Sequence, residues 1–215
     1  MSIAKTDRDT QALIAKVDRA DSADALLEAV EDLAAARSTA ATSKLIEVLG
    51  YNNPGAAVAA VDGLIQIGEP AVVPLLEQLD GYNYGARAWA VRALAGIGDP
   101  RGLDILLVAT SDFSLSVRRA ASRGLGTIRW QEMESDRVSE AQTRALQALL
   151  QTSQDPEWVV RYATVVGLQG LAQAAKLPDL SSAIWAQLEE MGNCDAEAAV
   201  RARAVMALDR RSSQT

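Results

Sequence analysis

The sequence predicts an all-α protein, a right-handed α-solenoid of about five helical-hairpin repeats, and three observations predict it. One leucine recurs at a fixed place, as Leu64, Leu94, Leu125, Leu168 and Leu208, with two near-equal intervals followed by two longer ones. Each of these leucines lies in a segment that follows a shorter amphipathic one. Glycine and proline stand between the segments, where helices stop and start.

The elements follow in order. Residues 1–20 form an N-terminal helical segment with Leu13, Ile14 and Val17 on it, and the repeats are expected to run from 21 to 212 as a single domain. ALLEAVEDLAAA (25–36) is the opening helix. SKLIEVL (43–49) recurs at an even interval as VPLLEQL (73–79) and LDILLVA (103–109), and more loosely as TRALQALL (143–150) and AIWAQLEE (183–190). The second helices are AAVAAVDGLIQIG (56–68), ARAWAVRALAGIG (86–98), VRRAASRGLGTIR (117–129), VRYATVVGLQGLA (160–172) and VRARAVMALDR (200–210). Within them Ala90, Leu94 and Ile97 mark i, i+4 and i+7, one stripe of a helix.

The turns agree. Gly68-Glu69-Pro70 and Gly98-Asp99-Pro100 each place a glycine where a left-handed residue ends a helix and a proline where the helix cannot continue. Asn53-Pro54 and Asp155-Pro156 read as an N-cap followed by an N1 proline. QEMESDRVSE (131–140) and AAKLPDLSS (174–182) break the rhythm and are expected to be exposed connections that account for the longer later spacings. A hairpin array with a period near 30 has the size of a short HEAT unit.

Charge and composition exclude several function classes. With 28 acidic against 21 basic residues the net charge is −7 and the pI about 4.7, which argues against a nucleic-acid partner. There is no histidine and one cysteine, Cys194, so a disulfide framework, a histidine or multi-cysteine metal site and a Ser–His or Cys–His nucleophile pair are all excluded. No GxxxxGK[ST] phosphate loop is present. No stretch approaches the roughly 18 apolar residues of a membrane span, and the opening residues lack a secretory h-region, so a cytoplasmic protein is expected.

Two sets of polar residues vary on the repeat frame. Arg87, Arg118, Arg161 and Arg201 hold one place in four units, and Asp112, Asp155 and Asp195 stand six residues ahead of the last three. They read as an aspartate–arginine ladder that ties turns together; a ligand role for some of the arginines is the other reading. The early turns GYNNPG (50–55) and DGYNYGARAW (80–89) cluster Tyr51, Asn53, Tyr82, Tyr84, Arg87 and Trp89, which either offer rings and hydroxyls to a partner or pack over helix ends. Trp130, Trp158 and Trp185 are expected to fill gaps between repeats whose other side chains are small. Cys194 reads as an unremarkable thiol. The candidate ligand or partner-binding set is therefore Tyr82, Tyr84, Arg87, Trp89, Asp112, Arg118, Tyr51 and Asn53.

ARAWAVRALAGIGDPR and VRRAASRGLGTI resemble the phycobilisome-lyase HEAT-like repeat family. The longer stretch LDGYNYGARAWAVRALAGIGDPRGLDILLVATSDFSLSVRRAASRGLG is similar to the smaller subunits of its heterodimeric members. The resemblance implies a cyanobacterial protein that works with a larger HEAT-repeat partner and attaches a linear tetrapyrrole, phycocyanobilin, through a thioether to a cysteine of the phycocyanin α subunit. The bilin is then a substrate and no cofactor is permanently bound. The nucleophile is the substrate's cysteine; the lyase holds the bilin in a productive geometry and favours its protonation. A branch of the family that also isomerises the bilin uses a histidine–cysteine motif, which this chain lacks. Attachment of another bilin such as phycoerythrobilin, bilin removal, and a non-enzymatic HEAT scaffold for phycobilisome assembly are the competing readings; a HEAT-like DNA glycosylase is disfavoured by the charge.

Overall fold

The computed structural model describes residues 3–78 and 84–212, and among these every regular element is helical, with twelve α-helices and four single 3-10 turns. The helices pair into six hairpins that belong to two compact units, Met1–Ile97 and Gly98–Thr215. The first unit holds α1 (Ile3–Asp18) with α2 (Ala23–Ala35), α3 (Thr42–Val48) with α4 (Pro54–Ile67), and α5 (Val72–Gln78) with α6 (Tyr84–Ile97). The second holds α7 (Leu103–Ala109) with α8 (Leu115–Leu125), α9 (Ser135–Thr152) with α10 (Trp158–Ala174), and α11 (Pro178–Cys194) with α12 (Ala198–Ser212). No single helix among the described residues is long and apolar enough to cross a membrane.

The repeated leucine is the centre of each hairpin. Leu64, Leu125 and Leu168 are fully buried and Leu94 is 1% exposed; a leucine taken out of water contributes about 1.5–3 kcal/mol. A sixth repeat precedes the five read from the sequence. Val30 and Leu33 on α2 are fully buried and stand one repeat ahead of Val61 and Leu64, and α1 packs against α2 as the first helix of that hairpin. The second helices stack directly, α2 on α4 and α4 on α6 in the first unit, α8 on α10 and α10 on α12 in the second.

Close stacking needs small residues at the crossing, and α8 meets α10 through glycine. A Cβ added at Gly126 would stand 2.5 Å from the Gly167 carbonyl oxygen and 2.7 Å from its Cα. One at Gly167 would run into the Ser122 carbonyl, and one at Gly170 into the Gly126 carbonyl. Backbone packs on backbone here, so no side chain larger than hydrogen fits.

The turns confirm the glycine signals and revise two other expectations. Gly68 (φ 75°) and Gly98 (φ 70°) take the left-handed region that glycine enters without steric cost. Arg37 (φ 49°) does the same job in the first repeat, one period ahead of Gly68. The later spacings are longer because the first helices lengthen: α3, α5 and α7 have 7 residues each, while α9 has 18 and α11 has 17. Residues 135–140 and 178–182 thus belong to helices, with Pro178 in the first turn of α11. Asn53 is the N-cap of α4 with Pro54 behind it, but Asp155 lies two residues ahead of the N-cap Glu157, and its carboxylate accepts the Glu157 amide at 2.9 Å.

Candidate functional site

The arginines and aspartates of the second unit form a directional ladder. Arg118 Nη1 donates to the carbonyls of Asp112 (2.9 Å) and Phe113 (3.0 Å) in its own turn. Its other edge forks onto the next turn, Nε to Asp155 Oδ2 at 2.6 Å and Nη2 to Asp155 Oδ1 at 3.1 Å. Arg161 repeats the pattern, Nη1 on the Asp155 and Pro156 carbonyls and the fork on Asp195 at 2.8 and 3.0 Å. Each aspartate in turn accepts an amide two residues on: Asp112 from Ser114, Asp155 from Glu157, Asp195 from Glu197. Burial pushes the Asp155 carboxyl up, but the Arg118 fork, the Glu157 amide and the Arg118 and Arg161 charges hold it below the ordinary value. The Arg161 side-chain bond is the largest influence on Asp195, which is also held low. These groups satisfy one another, so Asp112 and Arg118 of the candidate set are positioned by the scaffold.

The remaining candidates fall in the first unit. Tyr51 donates its hydroxyl to Glu47, and Asn53 accepts the Ala56 amide at 3.0 Å while its Nδ2 donates to the Ala23 carbonyl at 3.0 Å. With Ala20–Ala23 and Leu26 they line one shallow cleft of about 490 Å³. Tyr82 lies outside the described residues, and Tyr84 is described only as the first residue of α6. Arg87 and Trp89 are half-buried on α6, and the Arg92 guanidinium stands 5.5 Å from the Trp89 ring centroid. That distance suits a cation–π contact.

A set of exposed residues on the second unit went unread in the sequence. Counting from the ladder arginine, the places −3, +1 and +5 form one stripe of each second helix by the i, i+4 rule. On α8 these are Leu115, Arg119 and Arg123; on α10 they are Trp158, Tyr162 and Val166. Leu115 is 41%, Trp158 45% and Tyr162 37% exposed, and Arg119 and Arg123 are exposed. Neighbouring helices thus present two rings, an aliphatic group and two guanidinium groups side by side, a surface able to stack on a flat conjugated ligand and neutralise its carboxylates. Trp158 departs from the expectation that it fills a gap. Trp130 is buried as expected, and Trp185 is half-buried with the Arg211 guanidinium 4.8 Å from its ring centroid. Cys194 is exposed at the end of α11 and lines a second cleft, of about 380 Å³, with Arg161, Asp195 and Glu190.

Known proteins match this architecture. The HEAT repeats family matches residues 74–169. The chain is 51% identical to the phycocyanobilin lyase subunit beta of Nostoc sp. (strain PCC 7120) over 92% of its own length and 98% of the relative's. It is 56% identical to the phycocyanin alpha phycocyanobilin lyase CpcF of Synechocystis sp. (strain PCC 6803), over 76% of this chain and 77% of that one. A structure of the complex of CpcE and CpcF of phycocyanin lyase from Nostoc sp. PCC7120 aligns with a TM-score of 0.73 and 52% identity, covering 80% of this chain and 99% of the matched one. With half its residues shared along nearly the full length of a curated relative, the chain belongs to the family of phycocyanobilin lyase beta subunits, built from HEAT-like repeats.

Proposed function

We propose that this chain is the smaller subunit of a heterodimeric lyase that, with a larger HEAT-repeat partner, joins phycocyanobilin through a thioether to a cysteine of the phycocyanin α subunit in the cytosol. The observation that carries the reading is the 51% identity to a phycocyanobilin lyase beta subunit over 98% of that relative. The bilin is a substrate held only until transfer. The step is an addition with no leaving group. The cysteine sulfur bonds the ethylidene carbon, the double-bond pair moves into the bilin, and the thiol proton is retained there in net balance. Protonation of the bilin before attack makes that carbon electrophilic.

The chain holds the bilin in a productive geometry, and with no histidine present its carboxylates are the groups available to favour that protonation. Trp158, Tyr162 and Leu115 are suited to stack on the tetrapyrrole, and Arg119 and Arg123 to take its propionates. Tyr84, Arg87 and Trp89, which belong to the first unit, remain ligand or partner-contact candidates by themselves. Tyr51, Asn53 and Tyr82 remain partner-contact candidates.

Co-expression with the larger subunit, a bilin source and the α subunit tests the reading. The expected product is an α subunit that stays coloured in a denaturing gel. Trp158→Ala with Arg119→Gln lowers the coloured yield by about 10-fold or more, the loss of one stacked ring and one charged contact at about 1.5 kcal/mol or more in total, while helicity and melting stay unchanged. A colourless α subunit with the unsubstituted pair refutes the function; a fully coloured one with the double variant refutes the stripe.

A further inference from the structure

The ladder runs in one direction, and α12, the last described helix, shows where it opens. Arg201 makes the first half of the pattern: Nη1 donates to the carbonyls of Asp195 at 2.7 Å and Ala196 at 3.0 Å, as Arg118 and Arg161 do in their own turns. In those two arginines the Nε–Nη2 edge forks onto an aspartate of the following turn. The same edge of Arg201 meets no carboxylate among the described residues. The clamp on the carbonyls therefore holds the guanidinium pre-aimed for a carboxylate that this unit does not itself supply.

The apolar face beside it tells the same story. Four residues beyond the ladder place stand Val61, Val91, Ser122 and Val165, each fully buried. Val205 holds that place on α12 and is 46% exposed. Leu208, at the repeated leucine position, is half-buried where its four predecessors are sealed. At the Val205 place α12 keeps an apolar side chain, as α4, α6 and α10 do, but leaves it in water.

We propose that the face of α12 bearing Arg201 and Val205 docks the end hairpin of a partner helical-repeat chain, whose turn supplies an aspartate or glutamate to the Arg201 fork and continues the ladder in trans. The partner is a different chain, because the first described hairpin of this one has Ala20 at the ladder-aspartate register. The inference rests on the heterodimer reading above and identifies the larger subunit as the occupant.

The test measures binding of the purified full chain to the larger subunit. Arg201→Gln removes a charged two-point contact and is expected to weaken Kd roughly 10- to 100-fold; Val205→Glu is expected to abolish co-elution. Arg201→Gln gives up the two carbonyl bonds of its own turn, so the free variant is expected to melt a few degrees lower at unchanged helicity, whereas Val205→Glu, at an exposed place, melts as wild type; Trp158→Ala on the stripe leaves Kd unchanged. A wild-type complex with unaltered Kd in both variants overturns this inference and leaves the lyase reading standing. No wild-type complex at all overturns both. Self-association of the free chain that the same variants break would make the occupant a second copy and overturns the proposal.

Discussion

Asp155→Asn is the sharpest probe of the ladder. The carboxylate is 7% exposed and the Arg118 side chain 15%, so water does little to screen the pair. The substitution keeps an oxygen for the Glu157 amide but turns an amide N–H₂ toward the Arg118 fork, donor against donor. Removing one partner of a buried pair costs about 3–5 kcal/mol. Arg118 retains its two carbonyl bonds and reaches some water, which reduces the cost to about 2–3 kcal/mol. For a chain of this length that lowers Tm by about 5–10 °C. A double-mutant cycle with Arg118→Met by urea unfolding should return a coupling energy of about 1.5–3 kcal/mol. The effect also has a pH signature. Asp155 titrates below its unfolded value, so its stabilisation is complete above the unfolded pKa of about 3.9 and is lost as pH falls through the lower folded pKa. The gap between wild type and variant therefore narrows as pH falls below the unfolded value of about 3.9 and closes below the lower folded value. A loss under about 0.5 kcal/mol at neutral pH, or a coupling energy near zero, refutes the reasoning.

Two further substitutions test the packing and the caps. Gly167→Ala drives a methyl group into the Ser122 carbonyl at the α8–α10 crossing and is expected to cost about 2–3 kcal/mol in thermal unfolding; a neutral result would mean the two helices separate freely. Asn53→Ala removes the N-cap of α4 and the bond to the Ala23 carbonyl, with an expected loss of about 1–2 kcal/mol in the same measurement, and Asn53→Asp should recover the cap.

The hairpin repeat was legible because Leu64 to Leu208, Gly68 and Gly98 all mark the same places in the chain. The first repeat was hidden for a local reason. Its left-handed turn residue is Arg37, and a proline does not appear until Pro54, so neither helix-stop signal is present. The lengthening of α9 and α11 was hidden too, since polar residues such as Gln131 to Glu140 look the same in a solvated helix and in a loop. The six-residue spacing of aspartate and arginine predicted a ladder, but not its direction: the partner of Arg118 lies 37 residues on and that of Arg161 lies 34 residues on. Trp158 reads as a gap-filler because large rings among small residues usually are, and Tyr162 carries no signal of its own. Their exposure depends on which side of α10 its neighbours cover, and α8 and α12 cover the two flanks marked by glycine and valine.

That division of faces bears on function. On α8 and α10 the repeated leucine is sealed, the +4 place and the glycines are buried at the stacked neighbours, and the ladder arginine faces the turns. Three sides are therefore fixed by packing costs of a few kcal/mol each. The −3, +1 and +5 stripe is the side on which side chains are free to change without disturbing the fold. It is also where the repeats differ in chemical character, Leu115, Arg119 and Arg123 on α8 against Trp158, Tyr162 and Val166 on α10. A scaffold whose backbone positions are held by reciprocal charges and glycine contacts keeps such a mixed aromatic and basic surface in register. A ligand whose reactive carbon must be presented to another protein's thiol requires that fixed geometry more than it requires an acid–base pair on the scaffold itself.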